Sequence, residues 1–148
     1  MTYPAFANKR LDKKLCFGTH TPNNYFLRWL SEHETKYKLT YISFKDNLIV
    51  LAKDIGWLHF SNDLEVKTGI YLNLLYILPE ERGKGHAKNL IGLIKCFTDD
   101  TKMCSVVIPA SIQGSRLKRL RSFYKKLGYT IWNGFYVYEP KRKLKKVN

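Results

Sequence analysis

The stretch Leu72–Phe97, LNLLYILPEERGKGHAKNLIGLIKCF, decides how the rest of this chain is interpreted. It begins with an apolar run of strand length, which Pro79 ends because proline has no backbone N–H to donate. After the glycine-rich segment 82–85, apolar residues recur at spacings of three and four, which is typical of one face of an amphipathic helix. The stretch therefore predicts a strand, a glycine-rich turn and a helix.

The turn has the chemistry of an anion site. Gly83 and Gly85 allow the backbone to approach a ligand closely, and the first turn of the following helix presents free N–H groups at the positive end of its dipole. Arg82, Lys84 and Lys88 add positive charge. The pattern favours a phosphate or pyrophosphate, although glycines and charges alone are equally consistent with an exposed basic turn.

Two common phosphate-binding loops are excluded. The P-loop pattern G-x-x-x-x-G-K-[ST] is absent from the chain. A Rossmann turn, G-x-G-x-x-G, would need glycine at position 88, where this chain has lysine.

Two motifs carry a resemblance to a known family. Residues 79–87, PEERGKGHA, resemble the acyl-CoA signature Arg/Gln-x-x-Gly-x-Gly/Ala of the GNAT superfamily of N-acetyltransferases, with Arg82, Gly85 and Ala87 at its fixed positions. Residues 123–129, FYKKLGY, resemble a second motif of that family. The motifs occur in the right order, about one helix–strand–helix apart, and the resemblance covers roughly residues 56–138.

This resemblance implies the fold, the cofactor and the cofactor site. The fold would be α/β (α+β), with a mixed, mostly antiparallel sheet of six to seven strands, about four flanking helices and a splay at the acyl-CoA strand. Acetyl-CoA, or another acyl-CoA, would transfer its acyl group directly to an amine. The pantetheine arm would face the backbone of Leu75, Tyr76 and Ile77, and the Ile77 amide would donate to the thioester carbonyl. The pyrophosphate would bind at Arg82, Gly83, Lys84, Gly85, His86, Ala87 and Lys88, where we expect His86 to be a spacer that offers only its backbone N–H.

Tyr124 is the catalytic candidate. By the same resemblance it lies near the coenzyme sulfur and acts as the general acid for the leaving thiolate. A phenol has a pKa of about 10 and a thiol of about 8.5, so this proton transfer costs little. Helix periodicity alone favours an ordinary core role for Tyr124, whereas the motif favours the catalytic role.

Two positions depart from the family pattern. Many members carry a carboxylate three residues before the strand amide, where this chain has Leu74, so the base that accepts the amine's proton stays open. The candidates for it are water, Tyr71, His59 and the loop 63–65. Members also often place an asparagine seven residues before the tyrosine, where this chain has Leu117. Its possible substitutes are Ser111, Gln113 and Ser115.

The net charge of +14 is unevenly distributed. Residues 114–148 contain eleven of the 26 Lys and Arg residues and a single acid, Glu139. A one-sided basic region predicts an anionic partner and salt-sensitive association. We expect DNA, RNA or a nucleoprotein to bind at Arg116, Lys118, Arg119, Arg121, Lys125, Lys126, Lys141, Arg142 and Lys143. A solvated basic face, or one that only attracts the anionic coenzyme, is the alternative.

The same charge bears on the acceptor. Polyamines, aminoglycosides and lysine-rich tails would be repelled, so an amine on a nucleic acid, or on a protein bound to one, fits better. Two other hypotheses remain open: a non-catalytic GNAT-like module that binds nucleic acid, and a DNA base modification enzyme similar to the phage Mom proteins.

Length and composition predict one domain, residues 1–139, followed by a basic tail, residues 140–148. No apolar run reaches the ~18 residues of a membrane span, and the first residues have no apolar core of signal-peptide type. Three cysteines and four histidines show no metal-type spacing, so we expect no metal site, reduced thiols and a cytoplasmic location.

The remaining elements follow from local patterns. We predict a helix over 22–34, then strands over 38–44, 48–52, 55–60 and 70–78. After the loop and its helix come a polar turn over 98–102, a strand over 103–108 and a helix marked by 117–127. Strands over 129–132 and 135–138 form a hairpin around Asn133-Gly134. Family members usually place helices between their first two strands, and this chain would do so only if residues 14–18 formed a strand.

Overall fold

The structure, a computed structural model, describes residues 22–61, 69–107, 114–132 and 134–140, without the side chains of residues 114–117. The elements are, in order, α1 (Pro22–Glu32), β1 (Leu39–Phe44), β2 (Asn47–Ala52), β3 (Gly56–Ser61), β4 (Gly69–Ile77), α2 (His86–Thr101), β5 (Cys104–Val107), α3 (Gly114–Lys126), β6 (Thr130–Trp132) and β7 (Phe135–Tyr138). A 3₁₀ turn, Pro79–Glu81, lies between β4 and α2. All the helices and strands predicted within these ranges are present.

The seven strands form one sheet in the order β1-β2-β3-β4-β5-β7-β6. Of the six strand pairs in the described residues, the β4–β5 pair is parallel and the other five are antiparallel. The expected mixed, mostly antiparallel sheet is therefore confirmed. Of the roughly four helices expected, the described residues contain three α-helices and the 3₁₀ turn.

Within the described residues, the sheet begins with a hairpin. β1 and β2 form a hairpin around Lys45 and Asp46, so no helix lies between these two strands, and α1 precedes both. Lys45 has a positive φ of 50°, as this tight turn requires. The possible strand over 14–18 falls outside the described residues.

The predicted polar turn over 98–102 is wrong, because α2 continues to Thr101. Thr98 is fully buried and donates its hydroxyl to the Ile94 carbonyl at 2.8 Å. The hydroxyl of Thr101 likewise donates to the Phe97 carbonyl at 2.7 Å. A threonine whose hydroxyl donates to a carbonyl of its own helix can be buried in the last turn of that helix. The polar composition of this segment did not indicate such a burial.

The main core joins all three helices to one face of the sheet. Phe26 of α1 lies 5.0 Å from both Phe60 of β3 and Phe97 of α2, measured between ring centroids. Burying rings of this size stabilises the fold by roughly 1.5–3 kcal/mol each. Tyr124 brings α3 into the same cluster. The opposite face carries a smaller cluster around Ile42 and Leu51, to which only strand residues of the described chain contribute.

Candidate active site

The sheet opens along β4. The described part of β5 pairs only with Gly69–Leu72, which are buried, whereas Asn73–Ile77 are partly exposed. Since the Leu78 amide donates to the Ile55 carbonyl on the β3 side, strand alternation turns the Ile77 amide toward the open side. Among the described residues, no strand pairs with the edge of β4 that is predicted to face the pantetheine arm.

A β-bulge precedes this open edge. His59 of β3 pairs with Leu74 but Phe60 pairs with Leu72, which leaves Asn73 as the extra residue. Because of the extra residue, the inward and outward positions of β4 are interchanged after the bulge. Leu75 and Ile77 therefore lie on the helix side of the sheet, as Leu72 does before the bulge. Leu74 and Tyr76 therefore face the opposite side, where Tyr76 stacks on Trp57 at 4.2 Å.

The loop after β4 provides an uncapped helix start. Gly83 and Gly85 have φ values of 78° and 85°, in the left-handed region that favours glycine. Gly85 is the N-cap of α2, has no side-chain cap, and accepts the first helical bond from the Asn89 amide at 3.1 Å. The amides of residues 86–88 consequently have no acceptor within the helix. A Cβ atom at either glycine would meet no atom of the described residues within 4 Å, so both glycines border open space in this part of the structure.

The basic side chains of the loop are held in different ways. The Arg82 Nε donates to the Ile77 carbonyl at 2.9 Å, and the guanidinium lies 5.3 Å from the Tyr76 ring centroid. Arg82 therefore reaches back to the open end of β4. Lys84 forms an ion pair with Glu81 and lowers the pKa of that carboxyl group. Lys88 is exposed.

The His86 side chain has protein contacts of its own, and the expectation that it offers a ligand only its backbone N–H stays a prediction. Its Nδ1 lies 2.9 Å from the Tyr37 hydroxyl, and its Nε2 lies 3.8 Å from Glu81 Oε1. The side chain is only 15% exposed and makes an edge contact with the Tyr37 ring. Tyr37 therefore supports the start of α2 from a position 49 residues away, and no local sequence signal indicates this contact.

A cavity of about 360 Å³ lies beside His86 and Tyr37. Its remaining walls come from the connection between α1 and β1 and from the turn between β2 and β3, where Lys36, Lys38 and Lys53 contribute. These lysines are exposed and add positive charge beside His86, while Asp54 lines the same cavity.

Tyr124 is packed in the main core. It is 4% exposed, and its ring contacts Phe123, Tyr129 and Tyr136 at centroid distances of 5.1 to 5.4 Å. Burial raises the pKa of its phenol, and Tyr136 raises it further. The phenol is protonated at neutral pH, as a proton donor must be, but transfer to a thiolate is more costly than for a free phenol.

The exposed half of α3 is cationic. Leu120, Phe123 and Tyr124 face inward, and the outward positions include five basic side chains: Lys118, Arg119, Arg121, Lys125 and Lys126. Arg116 lies in the helix, but its side chain is outside the described set, as are residues 141–143.

The candidate bases and the substitutes for asparagine are only partly described. Tyr71 is buried and contacts the Phe135 ring at 5.9 Å. His59 is partly buried and binds Asn47. The loop 63–65, Ser111 and Gln113 are outside the described residues. In that described part, no cluster of His, Cys, Asp or Glu could hold a metal ion, and no helix has the length and hydropathy of a membrane span.

Residues 44–131, more than half of the chain, match the model of the acetyltransferase (GNAT) domain. The chain belongs to the GNAT acetyltransferase family. This GNAT protein has no significant match among curated protein sequences.

Several solved structures resemble this GNAT protein at low identity. One is described as a putative GNAT acetyltransferase from Desulfovibrio desulfuricans, with 14% identity, 87% of this chain and 90% of that chain covered, and a TM-score of 0.48. Another is the GNAT N-acetyltransferase YhbS from Escherichia coli in complex with CoA, with 17% identity, coverage of 63% and 57%, and a TM-score of 0.41. A third is a KacTA–DNA complex, with 14% identity, coverage of 77% and 74%, and a TM-score of 0.44.

Proposed function

We propose that this GNAT protein transfers an acetyl group from acetyl-CoA, or an acyl group from another acyl-CoA, to an amine. The observation that carries the proposal is the combination of an open β4 edge with an uncapped helix start directly after it. Backbone amides at both places have unused hydrogen-bonding capacity. A long ligand with an amide-containing arm and a pyrophosphate suits this arrangement.

The residues of the loop would hold the coenzyme. The amides of residues 83–88 and the helix dipole favour the pyrophosphate, while Arg82 keeps the loop against the end of β4. The backbone of Leu75, Tyr76 and Ile77 would bind the pantetheine arm, and the Ile77 amide would polarise the thioester carbonyl. Acetyl-CoA supplies the activated acetyl group.

Tyr124 is proposed as the general acid that donates its phenolic proton to the leaving sulfur. Its ring is held by three aromatic neighbours, so a donor placed there would be fixed in position. The raised pKa keeps the phenol protonated, so its hydroxyl is able to donate to the sulfur as negative charge develops there.

The acceptor is proposed to be an amine on a nucleic acid or on a protein bound to one. The support is electrostatic: net charge +14, with five exposed cations on one half of α3. A single domain over residues 1–139, a basic tail from residue 140 and a cytoplasmic location remain parts of the same proposal.

A non-catalytic module that binds nucleic acid is the second candidate. The observation that favours it is that β4, with Leu74 facing away from the core, contains no carboxylate. The test has two steps. Calorimetry with acetyl-CoA first measures binding. Labelled acetyl-CoA is then incubated with DNA, tRNA and ribosomal fractions, and mass spectrometry locates the label. Binding of acetyl-CoA without transfer of the label to any fraction would favour the second candidate. It would also be consistent with a DNA base modification enzyme similar to the phage Mom proteins, if its product does not carry the labelled acetyl group.

A further inference from the structure

His59 is placed beside the position from which the family's carboxylate is missing. In the β3–β4 pair, His59 is the direct partner of Leu74, and directly paired residues share one face of a sheet. Trp57, two residues before His59, stacks on Tyr76, two residues after Leu74, on the face away from the helices. The bulge at Asn73 produces this arrangement, because without it Leu74 would point into the main core.

Asn47 fixes the tautomer of His59. The His59 Nε2 lies 2.9 Å from the Asn47 side-chain oxygen Oδ1. An amide oxygen only accepts hydrogen bonds, so Nε2 must carry the hydrogen and donate it. The neutral ring therefore has its lone pair on Nδ1, which can accept a proton.

The surroundings of His59 keep the ring neutral. Burial lowers the pKa of His59 below its ordinary value of 6.5. Among the described residues, its neighbours by strand register on the same face include Asn47 and Ile49 from β2, Leu74 from β4, and Trp57 and Ser61 along β3. None of these five carries a charge that would favour the imidazolium form.

We propose that His59 is the general base of the transfer reaction and Asn47 is the positioning residue that presents its Nδ1. The inference rests on the proposed function. As the acceptor nitrogen bonds to the acetyl carbonyl carbon, its proton passes to Nδ1 of His59. The carbon–sulfur bond breaks, and the sulfur takes the phenolic proton of Tyr124. His59 lies across the β3–β4 pair from Leu74, the position where many family members carry the carboxylate, and about 4.8 Å separates the two strands. Because the thioester would lie on the other side of β4, a water molecule passes the proton on to Nδ1.

The first experiment measures the tautomers directly, without an acceptor. Long-range ¹⁵N–¹H correlation spectra of the histidine rings, recorded from pH 5 to 8, report which nitrogen carries the hydrogen. We expect His59 to be the Nε2–H tautomer at neutral pH. His33 is an internal control for the other tautomer. Its Nδ1 lies 2.7 Å from the Trp29 carbonyl oxygen, which only accepts hydrogen bonds, so Nδ1 must carry the hydrogen. A His59 with hydrogen on Nδ1 would overturn the proposal.

The second experiment measures acetyl transfer to total tRNA and to DNA as a function of pH. His59→Gln, which can still donate to Asn47, should lower kcat by roughly 10²- to 10⁴-fold and leave acetyl-CoA binding unchanged. His33→Gln, a histidine replacement on α1, should leave turnover near that of the wild type. Asn47→Asp should move the acid limb of kcat/KM to higher pH, because a carboxylate beside the ring favours the imidazolium.

The outcomes separate the two proposals. Wild-type protein that binds acetyl-CoA but labels none of the DNA, tRNA and ribosomal fractions would overturn the proposed function together with the role of His59. Active wild-type protein with unchanged turnover in His59→Gln would overturn the base assignment alone. Reduced turnover in Asn47→Asp with an unmoved acid limb would also contradict it, since a purely structural effect predicts that result.

Discussion

Glycines in this protein serve two different physical purposes. Gly83 and Gly85 adopt positive φ and border open space in the described structure, so glycine is needed at these positions for its backbone conformation and not for lack of space. Gly56 has no such conformation, but a Cβ atom there would lie 1.9 Å from the Tyr76 carbonyl oxygen. Gly83 and Gly85 shape the loop, and Gly56 allows β3 and β4 to approach each other.

Gly85→Asp should abolish the rise in melting temperature that acetyl-CoA produces. The new side chain places negative charge in the space in front of the loop, where the pyrophosphate would bind. Gly85→Ala is the matched control: it introduces the strain of positive φ, about 1–2 kcal/mol, without charge. It should lower the melting temperature of the free protein but retain much of the acetyl-CoA shift. An unchanged shift in Gly85→Asp would mean that the pyrophosphate binds elsewhere.

Tyr124→Phe should reduce acetyl transfer by roughly ten- to a thousandfold while the affinity for acetyl-CoA stays nearly constant. The substitution removes one hydroxyl and keeps the ring in contact with Tyr129 and Tyr136. Tyr136→Phe removes a hydroxyl from a neighbouring buried ring and should retain turnover. Steady-state rates and calorimetry distinguish the two variants. Full activity in Tyr124→Phe would show that this tyrosine is only a core residue.

At the scale of elements, the site is the end of one strand joined to the start of one helix. β4 contributes a free edge, the loop contributes free amides, and Arg82 ties the two together through the Ile77 carbonyl. β3 supports β4 on its other side, and Gly56 pairs directly with Ile77. A change in the β3–β4 spacing should therefore affect the coenzyme site.

Gly56→Ala should destabilise the protein by about 1–3 kcal/mol, because the added methyl group must push the two strands apart. It should also weaken acetyl-CoA binding, since Ile77 would move. Gly92→Ala in α2 is the control, because its Cβ would meet nothing within 4 Å and alanine favours a helix by about 1 kcal/mol. Chemical denaturation and calorimetry of both variants test this. Equal stability of the two would contradict the strand contact.

At the scale of the whole molecule, the described basic residues are more concentrated on α3 than on the loop 82–88. The exposed half of α3 carries five cations, whereas Glu81 partly neutralises the loop by pairing with Lys84. We therefore expect nucleic acid to bind mainly at α3 and the basic tail, and coenzyme and nucleic acid to bind without displacing each other.

Replacing Lys118, Arg121 and Lys125 with glutamine should reduce the slope of log K against log salt by up to about 3 units, because each lost phosphate contact removes roughly 0.9 unit. The matched control replaces Lys36, Lys38 and Lys53, which changes the net charge equally but at the cavity beside His86. Fluorescence anisotropy with a labelled oligonucleotide over a salt series measures both. Equal slopes for the two triple variants would show that net charge, and not the α3 surface, governs binding.

The sequence by itself determined the elements and the loop. Pro79 ends a strand, glycines permit a turn, and apolar spacing marks a helix face; each of these depends on neighbouring residues alone. This is why the motif at residues 79–87 indicated the family that the domain match confirms. It is also why Thr98 was misassigned, because the burial of a polar residue depends on what packs against its helix.

Only the tertiary structure decided which distant residues meet. The bulge at Asn73 depends on how β3 and β4 align, and one residue of register decides whether Leu74 faces the core or His59. The contacts of Tyr37 with His86 and of Asn47 with His59 likewise join separate elements. Local pattern encodes backbone conformation and the apolar face, but side-chain partners depend on long-range register, which no short stretch of sequence contains.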